Sequence, residues 1–365
     1  MNENYLLHNE TARKLYFEYA RNLPIIALCE DFKPSQRVYN NIAEAFLLND
    51  MCKLDAMRQY GIDEKYITGD ASDYEKFKAF CSILPKFAGN PIYLLSHIEL
   101  QHNFDCEYNI CEDNVDNIWY YCNKIIETEA ITDITLMKQS NLTFATVFYP
   151  NVYYEIYNPS VSDLKSFESH LLKMISKADE QGYKIAMHSE IDSFVKPDPY
   201  NANAIIHRIK AGHEALCDEY NCLYMQINRI LGIEYKKRGW TLLWYDECYG
   251  DTVNSYNNTE ALAYLESNNA LPQNYHLVYI DHLDSEEKIA EGIMKFAKNN
   301  VLGKFIFLPG LISPTTGFAD SDYIRRIICN IIGRWVENGE YTSDEKILKK
   351  LIEDILYNNL KEAIS

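Results

Sequence analysis

The sequence predicts an α/β protein built on a parallel sheet, and three observations predict it. Short apolar runs of strand length recur at 142–148, 183–188, 240–245, 277–280 and 304–308, with helical stretches between them. Such alternation is what crossover helices between parallel strands produce. A similar run at 23–31 precedes them and opens into a polar turn, which brings the strands to six. Between that first strand and the second, 35–125 reads as helix after helix with no strand. A closed barrel needs eight strands, so two would be short or irregular. Periodicity alone does not separate a barrel from an open doubly wound sheet.

The elements follow in order. The segment 5–22 is helical, with Leu15 and Tyr19 on one face. The stretch 41–54 reads as one amphipathic helix, and 73–84 as another that Ser72 can cap. Asn90-Pro91 breaks the chain before a helix at 92–104. A helix at 113–127 carries an apolar stripe of Val115, Ile118, Trp119, Cys122 and Ile126. Helices at 162–182, 199–237 (read as two), 260–268 and 285–300 separate the later strands, and 322–359 is helical. No internal repeat or low-complexity segment is present.

Composition narrows the function classes. The 365 residues are 47% hydrophobic and 24% charged, in the globular range. The net charge of −18 opposes binding to nucleic acid or to an anionic membrane. No apolar run reaches membrane-spanning length, and the first residues lack the basic and apolar regions of an export signal. The expected location is therefore cytoplasmic. The ten cysteines are scattered, without a Cys-x-x-Cys pair, and are expected to be reduced thiols.

Particular motifs carry a resemblance. The run Gly61-Ile62-Asp63-Glu64-Lys65-Tyr66-Ile67-Thr68-Gly69-Asp70, close behind a first strand, resembles uronate isomerases of the amidohydrolase superfamily. So do Tyr323 to Glu337 and Asp354 to Asn359. The likeness covers 11–125 and 302–360 and is weak over 142–300. It implies a distorted (β/α)8 TIM-like barrel of the metal-dependent-hydrolase type, with a helical insertion after the first strand. The expected division is 1–34, an N-terminal helix and first strand; 35–128, the insertion; and 129–365, the remaining barrel and C-terminal helices. The family reaction is aldose–ketose isomerisation of a uronate such as glucuronate or galacturonate. That chemistry needs a base, an acid, a stabiliser for the enediol and a clamp for the carboxylate.

This chain departs from the family's chemistry at several matched positions. The family's metal-binding His-x-His at the end of the first strand reads Cys29-x-Asp31 here. These two are weak metal candidates, so no cofactor is expected; a divalent metal such as zinc is the alternative. An Asp-His-Tyr-Lys-Trp-Arg-Ala-Met-Arg-like stretch reads Asp50 to Arg58, keeping Lys53 and Arg58. With Arg325, these are the candidate substrate-binding cations. In Tyr93 to Leu100, one His of the family's two remains, His97, read as a helix-packing residue. Leu311 stands where the family has an Asp, and Ser313 where it has an Arg.

The strand ends offer His188, Asp246, Asp281 and His282 as candidate catalytic groups, because ligands bind at those ends in barrels and doubly wound sheets. Polar strand-to-helix loops are also ordinary in an acidic chain. The first reading is a catalytically degenerate paralogue that binds a sugar acid, another small molecule or a partner, with self-association open. The second is a divergent isomerase or metal-dependent hydrolase using rebuilt strand ends.

Overall fold

The computed structural model describes residues 3–30, 32–189, 194–247, 255–281, 286–298, 305–309 and 313–365. Among the described residues six parallel strands run: β1 (Ile25–Cys29), β2 (Leu142–Thr146), β3 (Ile185–Ser189), β4 (Thr241–Glu247), β5 (Tyr275–Asp281) and β6 (Phe305–Pro309). β1 pairs with β2, with Ile25 opposite Leu142, and β3 to β6 form a second sheet in sequential order. A parallel bridge between Phe148 and Ala186 joins the two sheets. Each strand thus neighbours the next in sequence, without the reversal of order that marks a doubly wound sheet.

Alternation along the strands separates two cores. Ile26, Val147, Ile185, Leu243, Val278 and Ile306 form one cluster, drawn from all six strands or their immediate extension. A cluster that receives every strand is the interior of a curved, barrel-like sheet. Leu360 and Ala363 of α16 (Asn359–Ile364) complete it. Asn359 donates to the carbonyl of Phe305, the first residue of β6, at 2.8 Å. The C-terminal helix therefore plugs the end opposite the strand C-termini. The intervening positions Ala186, Leu242, Trp244, Leu277, Phe305 and Phe307 face the surrounding helices.

Among those helices are α9 (Leu164–Glu180), α10 (Pro199–Lys210), α11 (Cys217–Arg238) and α14 (Gly317–Glu337). The segment read as two helices is indeed two, broken between Lys210 and Cys217. Gly232 lets α11 approach the chain closely: a Cβ there would stand 2.0 Å from the carbonyl oxygen of Ala270.

The stretch between β1 and β2 has a core of its own. It holds α2 (Ile42–Phe46), α3 (Met51–Tyr60), α4 (Asp73–Ile83), α5 (Pro91–Phe104), α6 (Val115–Glu129) and α7 (Asp133–Gln139). Phe46 meets Phe77 and Phe80 edge-on at 6.1 and 5.9 Å, a favourable geometry for aromatic rings. Its cluster reaches Ile131 and Leu136. Two details differ from the sequence reading. The expected helix over 41–54 is interrupted, because Asp50 leaves helical geometry to accept the backbone N–H of Lys53 and starts α3 afresh. The first helix becomes a π-turn over Tyr16–Ala20 after α1 (Glu10–Leu15).

Helix α5 belongs to both cores. Ile92, Leu100 and Phe104 join the insertion cluster, while Leu95 and Ile98 join the barrel's outer core. Its capping amide side chain and first-turn proline, Asn90-Pro91, explain where it starts.

Candidate functional site

Of the sequence-predicted residues, His188, Lys53, Arg58 and Arg325 have described side chains, and each is held by different partners. His188 shares the face of Ala186, so it points beneath the helical layer. It is 2% exposed. Its Nε2 lies 2.9 Å from the Tyr235 hydroxyl, and its ring also bonds the Asn228 side chain. Phe148, Tyr235 and Trp240 pack as an aromatic box beside it, with Tyr235 and Trp240 stacked at 5.5 Å. Burial holds the imidazole down at about 3, so it is neutral at physiological pH.

The three candidate cations already have partners. Arg325 is buried and donates to three backbone carbonyls, those of Arg21 at 3.2 Å, Leu23 at 2.7 Å and Pro24 at 3.0 Å. It fastens the chain as it enters β1. Lys53 is 2% exposed. Its ammonium meets Glu99 Oε2 at 2.5 Å, Asp50 Oδ2 at 2.9 Å and the carbonyl of Phe46 at 2.8 Å. Arg58 lies on the outside of α3, paired with Asp55 at 2.7 Å and Glu64 at 3.0 Å.

Glu99 is the partner that sequence reasoning did not single out. Burial, with Asp50 and Asp320 nearby, pushes its carboxyl up to about 8 despite Lys53. Its Oε1 is buried without a hydrogen-bond partner. One turn further along α5, Asn103 donates to the carbonyl of Thr315 at 2.8 Å, tying the insertion to the loop after β6. In that loop the Ser313 hydroxyl accepts the backbone N–H of Thr316 at 3.2 Å, so Ser313 shapes a turn before α14.

The metal candidates fare similarly. Cys29 is two residues beyond Ala27, and alternation gives it the face of Ile25 and Ala27, which packs on Met137 and Phe144. That is the outer face of β1. Asp31 and His282 lie outside the described residues, as do the side chains of Asp246 and Asp281. Among the described residues, no three His, Cys, Asp or Glu side chains gather as a metal site requires. His97 accepts the Ile110 N–H at 3.1 Å and bonds the Tyr93 carbonyl at 2.7 Å, bracing α5 against the following loop.

Cavities form among the described residues at two places of note. One, of about 280 Å³, lies where the ends of β1 and β2 meet α9, lined by Glu30, Phe148, Tyr149, Lys177, Gln181 and Tyr183. Tyr183 donates to the carbonyl of Glu30 at 2.9 Å and fixes that corner. Burial pushes the Glu30 carboxyl up from the usual carboxylate range. Lys177 is exposed at the rim.

The other cavity, of about 270 Å³, lies between the N-terminal arm, α5 and α14. There Asp322 accepts from the hydroxyls of Tyr5 and Tyr16 and from Arg326 Nε at 2.8 Å. The guanidinium of Arg326 sits 3.8 and 4.0 Å from the two ring centroids. That network anchors the arm and leaves its charges mutually satisfied.

The comparisons with known proteins agree with this architecture. A family model described as glucuronate isomerase matches residues 1–151 and 279–363. A uronate isomerase of Caldanaerobacter subterraneus is 28% identical, covering 99% of this chain and 98% of the relative. One from Lachnospira eligens is 29% identical over 98% and 97%. The first alignment spans 461 positions, more than this chain has residues, so the relative carries stretches without a counterpart here. The solved uronate isomerase of Thermotoga maritima superposes with a TM-score of 0.78 at 20% identity, covering 100% of this chain and 99% of that one. The glucuronate isomerase of Caulobacter crescentus gives 0.78 at 14%, covering 100% and 96%.

Proposed function

Because the chain belongs to the glucuronate isomerase family, we propose that it binds a sugar acid on the family scaffold without isomerising it. One observation carries this reading. The cations that match the family's motifs, Lys53, Arg58 and Arg325, are all engaged by partners within the protein. Moving a proton between adjacent carbons of a uronate needs the carboxylate held while the enediol forms. A guanidinium bound to three backbone carbonyls is not available for that task. The cavity at the ends of β1 and β2 supports ligand binding. It is of monosaccharide size, offers tyrosine rings and hydroxyls, and has Lys177 at its rim for a carboxylate.

A second reading is a divergent isomerase acting through Asp31, Asp246, Asp281 and His282. Similarity to named uronate isomerases along nearly the whole chain favours it. Calorimetry with glucuronate and galacturonate, beside a turnover assay with and without added zinc, separates the two. Binding that is weakened by Lys177→Ala, with no product in either arm, is expected. Product formation lost on Asp281→Asn would establish the second reading instead.

A further inference from the structure

The cavity between the N-terminal arm, α5 and α14 shares no lining residue with the one at the ends of β1 and β2. Its charges cancel in two pairs. Asp322 and Arg326 meet at 2.8 Å in its buried floor. Glu3 and Arg21 face each other at its exposed rim, 3.9 Å apart. His102 adds no charge at neutral pH, because burial holds its imidazole down at about 4.

The two pairs differ in what they leave over. In the floor, Arg326 also donates to the carbonyls of Glu3 at 2.8 Å and Tyr5 at 3.3 Å, and to the Tyr16 hydroxyl at 2.9 Å. At the rim, 3.9 Å is too long for a hydrogen bond. The side chains of Arg21 and Gln101 make none with any described residue. Beside them His102 lies flat on Phe318, with ring centroids 3.5 Å apart and planes within 2°.

We propose that this cavity binds a small neutral polyol, the size of one sugar ring, beneath the N-terminal arm. A cation entering it gains from Glu3 and loses to Arg21, and an anion does the reverse, so neither sign of charge is favoured. A hydroxyl both donates and accepts. One hydroxyl therefore accepts from Arg21 and donates to Glu3, closing the gap that the pair leaves. Gln101 offers a further donor and acceptor. Phe318 and Ile98 give the apolar face of a sugar ring a wall to rest on. At about 270 Å³ the cavity falls below the roughly 300–1,000 Å³ of drug-sized sites, so it suits one ring and not a chain of them.

The arm is the lid of this site, since Glu3 and Tyr5 belong to it. It is held in place against backbone preference. Leu6 lies in the left-handed region at φ 58°, between Tyr5, bound to Asp322, and the buried Leu7. The site is separate from the sugar-acid cavity and stands without it.

The test is amide hydrogen exchange, read by mass spectrometry on the full-length protein, with three sugars that share a ring. Glucose is neutral, glucuronate is an anion, and glucosamine in its protonated form is a cation. Glucose is expected to slow exchange in residues 3–9 more than either charged sugar does. Glucuronate held at the other cavity would protect 147–149 and 177–183 instead, which keeps the two sites distinguishable. Gln101→Ala, on an exposed position, should raise the Kd for glucose about fivefold, the loss of one neutral hydrogen bond. Arg21→Gln leaves Glu3 unopposed and should turn the preference towards glucosamine. Protection of the arm by none of the three, or by a charged sugar as strongly as by glucose, would overturn the assignment. So would an unchanged Kd in Gln101→Ala.

Discussion

Arg325 shows how the surroundings of one residue decide its role. Its guanidinium reaches three backbone carbonyls where the chain turns into β1. Arg325→Ala should lower stability by about 3 kcal/mol in urea unfolding, since buried acceptors are left without donors. Lys53 and Glu99 follow the same logic with a pH signature. Glu99 titrates at about 8 in the fold and near the ordinary carboxylate range when unfolded. The folded state then binds the extra proton between those values, so this group's stabilisation is complete in acid and is lost as pH rises through about 8. Glu99→Gln keeps an acceptor for Lys53 and should flatten the decline of Tm between pH 5 and 8. His188 runs the other way. Its folded value lies below its unfolded one, so its stabilisation is present at neutral pH and lost as pH falls from about 6.5. His188→Gln should make acid unfolding begin at lower pH.

At the scale of elements, the strands were legible in the sequence because each is a short apolar run bounded by polar turns. Their faces were not. Ile185 to His188 is buried on both sides, so nothing in the letters said that His188 faces the helices and Met187 the interior. The same ambiguity hid the outward face of Cys29. The expected helix over 41–54 failed for a local reason: Asp50 is a better N-cap than a helix-interior residue. Asp50→Ala removes that cap and one partner of Lys53, and should cost about 2 kcal/mol, measurable by urea unfolding. Helix packing was also hidden. Gly232→Ala must push α11 from Ala270 and should destabilise by about 1–3 kcal/mol.

For the whole molecule, sequential parallel strands around one interior, a C-terminal helical plug and a helical insertion form a distorted barrel of the family's kind. The family motifs at the two ends of the chain announced it, and the family match stops at 151 and resumes at 279. The middle supplies strands β3 and β4 and most of β5, so the fold persists where likeness to the family model lapses. Scaffold and chemistry have different requirements: a sheet tolerates any apolar residue that fills its face, while proton transfer needs particular groups within about 3 Å of the substrate.

The measurement that tests this most directly is solvent deuterium incorporation at C1 and C2 of glucuronate, followed by NMR in D2O with and without zinc. It detects an enediol even where no net conversion accumulates. No incorporation above the protein-free control, beside measurable binding, is the result predicted. Incorporation that scales with protein concentration would contradict the account and return the chain to catalysis.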